Sequence, residues 1–178
     1  MTPEIGESVR LRDGSHVAVR PVRAQDEPAL RSFLAGLCEE ARYLRFFSMG
    51  ADVASAARMA TATGPRRYGL LAHDESGLLV GHALYIQLDD TRAEVAVEVA
   101  DRLHDRGLAT ILIERLARVA AEHGITRFVA EVLPQNNAML AVFCDGFDAN
   151  VALREGSDAV EFPTSAWRMA RERFPEHA

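Results

Sequence analysis

Residues 98–137 read EVADRLHDRGLATILIERLARVAAEHGITRFVAEVLPQNN, and the crossing at Gly107 decides how the chain folds around them. The stretch opens as a buried strand and turns at once into a helical pattern, with Leu108, Leu112, Leu116, Val119 and Ala120 forming an apolar stripe. Glu114–Arg118 and Arg118–Glu122 are spaced i,i+4 on the side expected to be wet. His123-Gly124 closes the helix, and TRFVAEVL (126–133) reads as the next strand. A helix that begins directly off a strand, with small residues in its first turn, points free N–H groups outward. Such an end is a ready anion site. Gly107 lets the backbone come close, Ala109 and Thr110 add little bulk, and Arg106 can offer a full charge to a phosphate. The corner is neither a Walker loop, lacking the GKS/T ending, nor a dinucleotide fingerprint, lacking GxGxxG.

Toward the N-terminus, TRAEVAVEVA (91–100) alternates as a strand, with Val95, Val97 and Val99 on one face and Glu94, Ala96 and Glu98 on the other. RYGLLAHDESGLLVGHALYIQLDD (67–90) holds two strands joined around Asp74 to Gly77, and SVRLRDGSHVAVRPV (8–22) a hairpin turning at Asp13-Gly14 and ending at Pro21. Between them lie three helices. The first has Asp26 as a cap, Pro28 in its first turn, and Leu30, Phe33, Leu34 and Leu37 at helical spacing. The second, EEARYLRFF (39–47), should place its aromatic residues in the core with Arg42 and Arg45 wet; the third is DVASAARMATATG (52–64), stopped at Gly64-Pro65. Toward the C-terminus come a short helix (136–147), a hairpin turning at Gly156-Ser157, and a terminal helix, TSAWRMARERF, with Trp167 and Phe174 on one face. Strands and helices interleave while several strands are hairpin-linked, so a mixed α/β (α+β) sheet is expected, with a domain over 1–163 and a helical tail over 164–178.

The 178 residues, 48% apolar and 26% charged, suit one globular domain that buries its core without disulfides. No leader pattern and no apolar run near ~18 residues is visible, so no membrane partner is expected and a cytoplasmic location is. The formal charge of −6 disfavours a nucleic-acid groove and suits a cationic substrate. Cys38 and Cys144 make neither a disulfide framework nor a CxxC pair, and the six histidines lack metal-ligand spacing, so no metal is expected. All 20 basic residues are arginine.

The stretch AEVAVEVADRLHDRGLATILIERLARVAAEHGITRFVAEVLPQNNAMLAVFCDGF (93–147) resembles the core of the GNAT superfamily of acetyl-CoA-dependent N-acetyltransferases. The superfamily's Q/R-x-x-G-x-G/A signature reads His104-Asp105-Arg106-Gly107-Leu108-Ala109 here, and Asn136 followed by Phe143 is similar to its N-x(6)-Y/F element. RDGSHVAVRPV, EEARYLRFFS and RFVAEVLPQNNAML look most like the GNAT domains of Pat-type bacterial protein-lysine acetyltransferases. The resemblance implies a mixed central sheet of about seven strands flanked by helices on both faces. It also implies acetyl-CoA as co-substrate, its pyrophosphate on the corner from His104 to Thr110 and its pantetheine arm along the backbone of Val97, Glu98 and Val99, with Asn136 and Phe143 contacting the arm. Glu94 takes the place of the family's general base, with Glu98 as the alternative and Glu131 nearby, the three together forming an acidic cleft. Two positions depart: His104 stands for Gln or Arg, and Phe143 for a tyrosine that would protonate the leaving thiolate. The implied acceptor is a protein lysine; a small-molecule amine, or an acyl-CoA sensor without catalysis, are the alternatives, and a homodimer is compatible with each.

Overall fold

A computed structural model describes residues 6–173 apart from Met49, Ala51 and Thr63. Its described strands form one eight-stranded sheet, one more than the seven or so expected. In chain order they are β1 (Glu7–Arg10), β2 (His16–Pro21), β3 (Arg67–Asp74), β4 (Leu79–Gln87), β5 (Arg92–Val99), β6 (Arg127–Val132), β7 (Asn150–Leu153) and β8 (Asp158–Pro163). The helices are α1 (Glu27–Gly36), α2 (Glu39–Phe46), α3 (Val53–Thr61), α4 (Leu108–Glu122), α5 (Asn137–Phe147) and α6 (Trp167–Arg173). Strand order is β1-β2-β3-β4-β5-β6-β8-β7, antiparallel at every junction except β5–β6, which is parallel because α4 crosses over between them.

The helix that starts at Gly107 anchors the larger core. Leu108, Ile111, Leu112 and Leu116 are buried against β4 and β5, and Val95 and Val97 meet them from the sheet as the alternation requires. Gly81 on β4 makes that approach possible: a Cβ there would lie 3.1 Å from Leu108 and 3.2 Å from Leu112. On the opposite face α1 and α3 close a second cluster around Leu30, Leu34, Ala57 and Leu71. Phe143 and Phe147 of α5 pack on Phe162 of β8 with ring centroids 5.4 and 5.1 Å apart.

Two local expectations need correction, and a third is met. The outward side of α4 is only half wet: Glu114 is half-buried, and burial pushes its carboxyl above the usual range. The terminal helix is expected to pack its Trp167 face on the domain or on a second subunit, and it packs on the domain, with Ala166 and Ala170 buried in the main core and Trp167 partly buried against it; Phe174 lies outside the described residues. Finally, α2 fully buries none of its residues: Phe46 is only partly buried against the second cluster, and Phe47 just after it is exposed.

Candidate active site

The parallel junction is short. β5 and β6 are in register only at Arg92–Arg127, Ala93–Phe128 and Glu94–Val129, although β5 runs on to Val99 and β6 to Val132. Past Glu94 the strands diverge, and each stays paired only on its outer side, β5 with β4 as far as Val99 and β6 with β8. The inner edges therefore face one another across a gap. This gap is part of a cavity of about 760 Å³ lined by Glu94 to Val99, Ala130 to Val132, the corner at Gly107, and α5. Two unpaired strand edges offer backbone donors and acceptors to an extended chain laid between them, much as an added strand is held.

The wide end of the gap is the strand-to-helix corner. Asp105 and Gly107 both take left-handed backbone angles, φ 61° and 86°, which turn the chain sharply enough for α4 to begin at Leu108. Leu108 and Thr110 bury their side chains, so what the corner offers an anion is the N–H groups of the first turn. Arg106 does not supply the expected charge: its guanidinium donates to Asp13 at 2.5 Å, and it is absent from the cavity lining. Arg12 lines the cavity instead, brought there by the β1–β2 turn, whose Arg12 N–H donates to the Arg106 carbonyl at 3.1 Å. No local pattern signals this, because a hairpin 93 residues away docks on the corner. His104 folds back, with Nε2 3.2 Å from the Val99 carbonyl oxygen. Asn136 lines the cavity and caps α5, its Oδ1 accepting from the Met139 N–H at 3.2 Å. Phe143, 2% exposed, is an apolar wall with no proton to give.

At the narrow end Glu94 is exposed, and it borders both this cavity and a second one of about 380 Å³. The second lies on the Glu94–Ala96–Glu98 face of β4 and β5, with α2 contributing Arg45 and Phe46, and α3 and its cap contributing Met59 and Asp52. Glu98 is not an open carboxylate of an acidic cleft. It is buried, Arg45 of α2 donates to one of its oxygens, and Nδ1 of His82 lies 2.7 Å from the other. Burial alone would raise its carboxyl, but the Arg45 and His82 partners win and hold it at about 2. A carboxylate so committed is a poor base, which removes the alternative to Glu94, and Arg45 is a partner of the sheet rather than a wet residue. Glu94 and the exposed Glu131 are left as the open carboxylates of the larger cavity's narrow part.

The Glu98 network makes a pH prediction. A carboxyl lowered on folding stabilises the native state above its unfolded value of 4.5 and loses that contribution as pH falls toward about 2. At about 1.4 kcal/mol per pH unit, this is on the order of 3 kcal/mol. Denaturant unfolding of wild type and Glu98→Gln should therefore differ most above pH 5 and converge toward pH 2. A gap that does not change with pH would show that the charge of Glu98 is not what holds the network.

Set against known proteins, the acetyltransferase (GNAT) family model matches residues 37–147. The GNAT domain of S. lividans PAT is 35% identical, with a TM-score of 0.80 over 88% of this chain and 96% of its own. An acetyltransferase of Pseudomonas aeruginosa is 27% identical over 140 residues, 75% of each chain. A spermidine N-acetyltransferase from Vibrio cholerae, solved with CoA and spermine, shares the fold at 13% identity, with a TM-score of 0.68 over 85% of this chain and 98% of its own.

Proposed function

Because this chain belongs to the GNAT family of acetyltransferases, we propose that it moves an acetyl group from acetyl-CoA directly to a primary amine, with the side chain of a protein lysine as acceptor. The observation that carries the reading is the divergence of β5 from β6 beyond Glu94, which ends on an anion-binding helix start. The pantetheine arm would lie along Val97, Glu98 and Val99, and the pyrophosphate on the N–H groups from Gly107 to Thr110, with Arg12 at the mouth. That arrangement brings the thioester to the narrow end, beside Glu94. A lysine is almost wholly protonated at neutral pH, its reference pKa being ~10.4, so it must lose a proton before it can attack. Glu94 takes that proton, directly or through water. The N–C bond then forms, the C–S bond breaks with its electron pair leaving on sulfur, and the nitrogen sheds its second proton to water as the amide forms. With Phe143 in the tyrosine position, the thiolate leaves as the anion or is protonated by water.

The choice of lysine rests on the likeness to Pat-type domains across EEARYLRFFS and RFVAEVLPQNNAML. Incubation with labelled acetyl-CoA and a cell lysate tests it. Label on proteins supports lysine, label only on small amines moves the acceptor to that class, and tight CoA binding with no label anywhere would leave a sensor rather than an enzyme. Since this chain contains no lysine, self-labelling cannot confuse the readout beyond its amino terminus.

A further inference from the structure

In sequence Arg106 adjoins the anion corner, yet its guanidinium is committed to Asp13. What it holds there is the turn between β1 and β2, and that turn is a tightly bonded unit. The Leu11 N–H donates to the Ser15 carbonyl at 2.8 Å, and Oδ1 of Asp13 accepts from both the N–H and the hydroxyl of Ser15, at 3.1 and 2.6 Å. The roots of the turn, Val9, Leu11 and Val17, are buried in the main core together with Leu103 and Leu108, which stand before and after the corner. The hairpin is therefore fixed to the corner in three ways. One is this packing, another is the Arg12 N–H on the Arg106 carbonyl at 3.1 Å, and the third is the ion pair of Arg106 with Oδ2 of Asp13.

Such docking sets the backbone of Arg12 at a defined place. Its side chain is exposed and lines the larger cavity with His104, Asp105 and Gly107. The other arginine of that lining, Arg45, is committed to Glu98. Asp105 sets a carboxylate in the same lining, a like charge against any phosphate arriving there, and the positive end of α4 offsets it only in part. CoA brings two anionic groups to this end. One is the pyrophosphate; the other, beyond it on the ribose, is a phosphate monoester of about −1.5 to −2 charge at pH 7. Arg12 reaches the corner from the β1–β2 edge of the sheet, away from the β5–β6 gap that would take the arm, so it stands on the nucleotide's side of the pyrophosphate.

We propose that Arg12 is a specificity-determining residue for the co-substrate: its guanidinium takes the phosphate monoester of CoA, and Asp13 and Arg106 are positioning residues that hold the turn against the corner. A planar fork of donors suits a monoester, with three free oxygens, better than a pyrophosphate that already faces backbone N–H groups. The inference rests on the cofactor site proposed above and deepens it. The donor selected is a CoA thioester, rather than the same phosphopantetheine arm carried without a nucleotide.

Calorimetry of the full chain with CoA and with 3′-dephospho-CoA, which share the arm and the pyrophosphate, tests this. Wild type should bind CoA about tenfold more tightly, near the low end of what a hydrogen bond to a charged group contributes. Arg12→Gln should bring the two ligands within about twofold by weakening CoA, while Arg12→Lys, which keeps the charge but not the fork, should retain part of the preference. Asp13→Asn should reduce the preference without abolishing it; a preference left at its wild-type value would overturn the positioning role. Equal affinity of wild type for the two ligands overturns the proposal. A preference that survives Arg12→Gln also overturns it, and a parallel loss for both ligands would put Arg12 on the pyrophosphate instead. Wild type that binds neither ligand removes the corner as a cofactor site and this inference with it. Selective binding of CoA without acetylation of any amine would remove acetyl transfer and leave the inference standing. Since Arg12 is exposed, its replacement should not disturb folding, and the wild-type comparison decides on its own if it does.

Discussion

Glu94→Gln should lower the acetylation rate at neutral pH by about 10²–10⁴-fold, the range a general base contributes. Glutamine keeps the shape of the side chain and removes its basicity, so what is lost is proton transfer rather than packing; Glu94 is exposed and holds up nothing. Its place is distinctive, since it borders both cavities at the last position where β5 and β6 remain in register. The loss should shrink as pH rises toward ~10.4, because the free amine then forms without help. CoA affinity should hold, since the proposed contacts to the arm and pyrophosphate are backbone groups away from Glu94. A variant with near-full rate at neutral pH would make Glu94 a bystander. Glu98 could not inherit the role without first leaving Arg45 and His82, so the open carboxylate of Glu131 or water would take it.

The second large effect is on binding. Gly107→Glu should weaken CoA by about a hundredfold, or some 2.7 kcal/mol. Part of this is conformational: at φ 86° any side chain strains the backbone by about 1–2 kcal/mol, and relief of that strain re-aims the first turn of α4. The rest is electrostatic, because a carboxylate would stand where the helix start should meet phosphate, cancelling a favourable contribution of up to about 2 kcal/mol. Gly107→Ala separates the two, carrying the strain without the charge, and should fall between. Calorimetry on folded Gly107→Glu that returns wild-type affinity would take the pyrophosphate away from this corner.

How much of the molecule is legible in the chain follows from how local each feature is. Gly107 and the stripe of α4 are visible because their causes, a turn residue and a helical period, lie within a few residues. The alternation of β5 also puts Glu94 and Glu98 on one face correctly. It cannot say that α2 covers one and leaves the other open, since Arg45 lies 53 residues before its partner and His82 16 before. The arginine of the corner is misplaced for the same reason: in sequence Arg106 adjoins Gly107, but Asp13 arrives from the hairpin and takes it, exposing Arg12 in its stead. The motif assigns Asn136 to the cofactor, whereas its oxygen serves first as a helix cap. The departure at α2 has a different root. Aromatic residues in a helix usually mean core, but here Phe46 and Phe47 line cavities, and nothing in the spacing distinguishes the two.

The gap between β5 and β6 also bears on how the protein coheres. Three register positions join the slab β1 to β5 to the slab β6, β8 and β7, so along most of its length the sheet has a seam rather than a continuous ladder. Opening at such a seam breaks few backbone bonds, and amide protons facing it should exchange among the fastest in the strands, those of Ala130 to Val132 included. An arm laid into the seam ties the slabs together, and at a hundredfold excess over its Kd such a ligand adds about 2.7 kcal/mol to the folded state. Hydrogen exchange with and without CoA should then slow on both sides of the seam together, and the resistance of the whole domain to unfolding should track the supply of its own co-substrate.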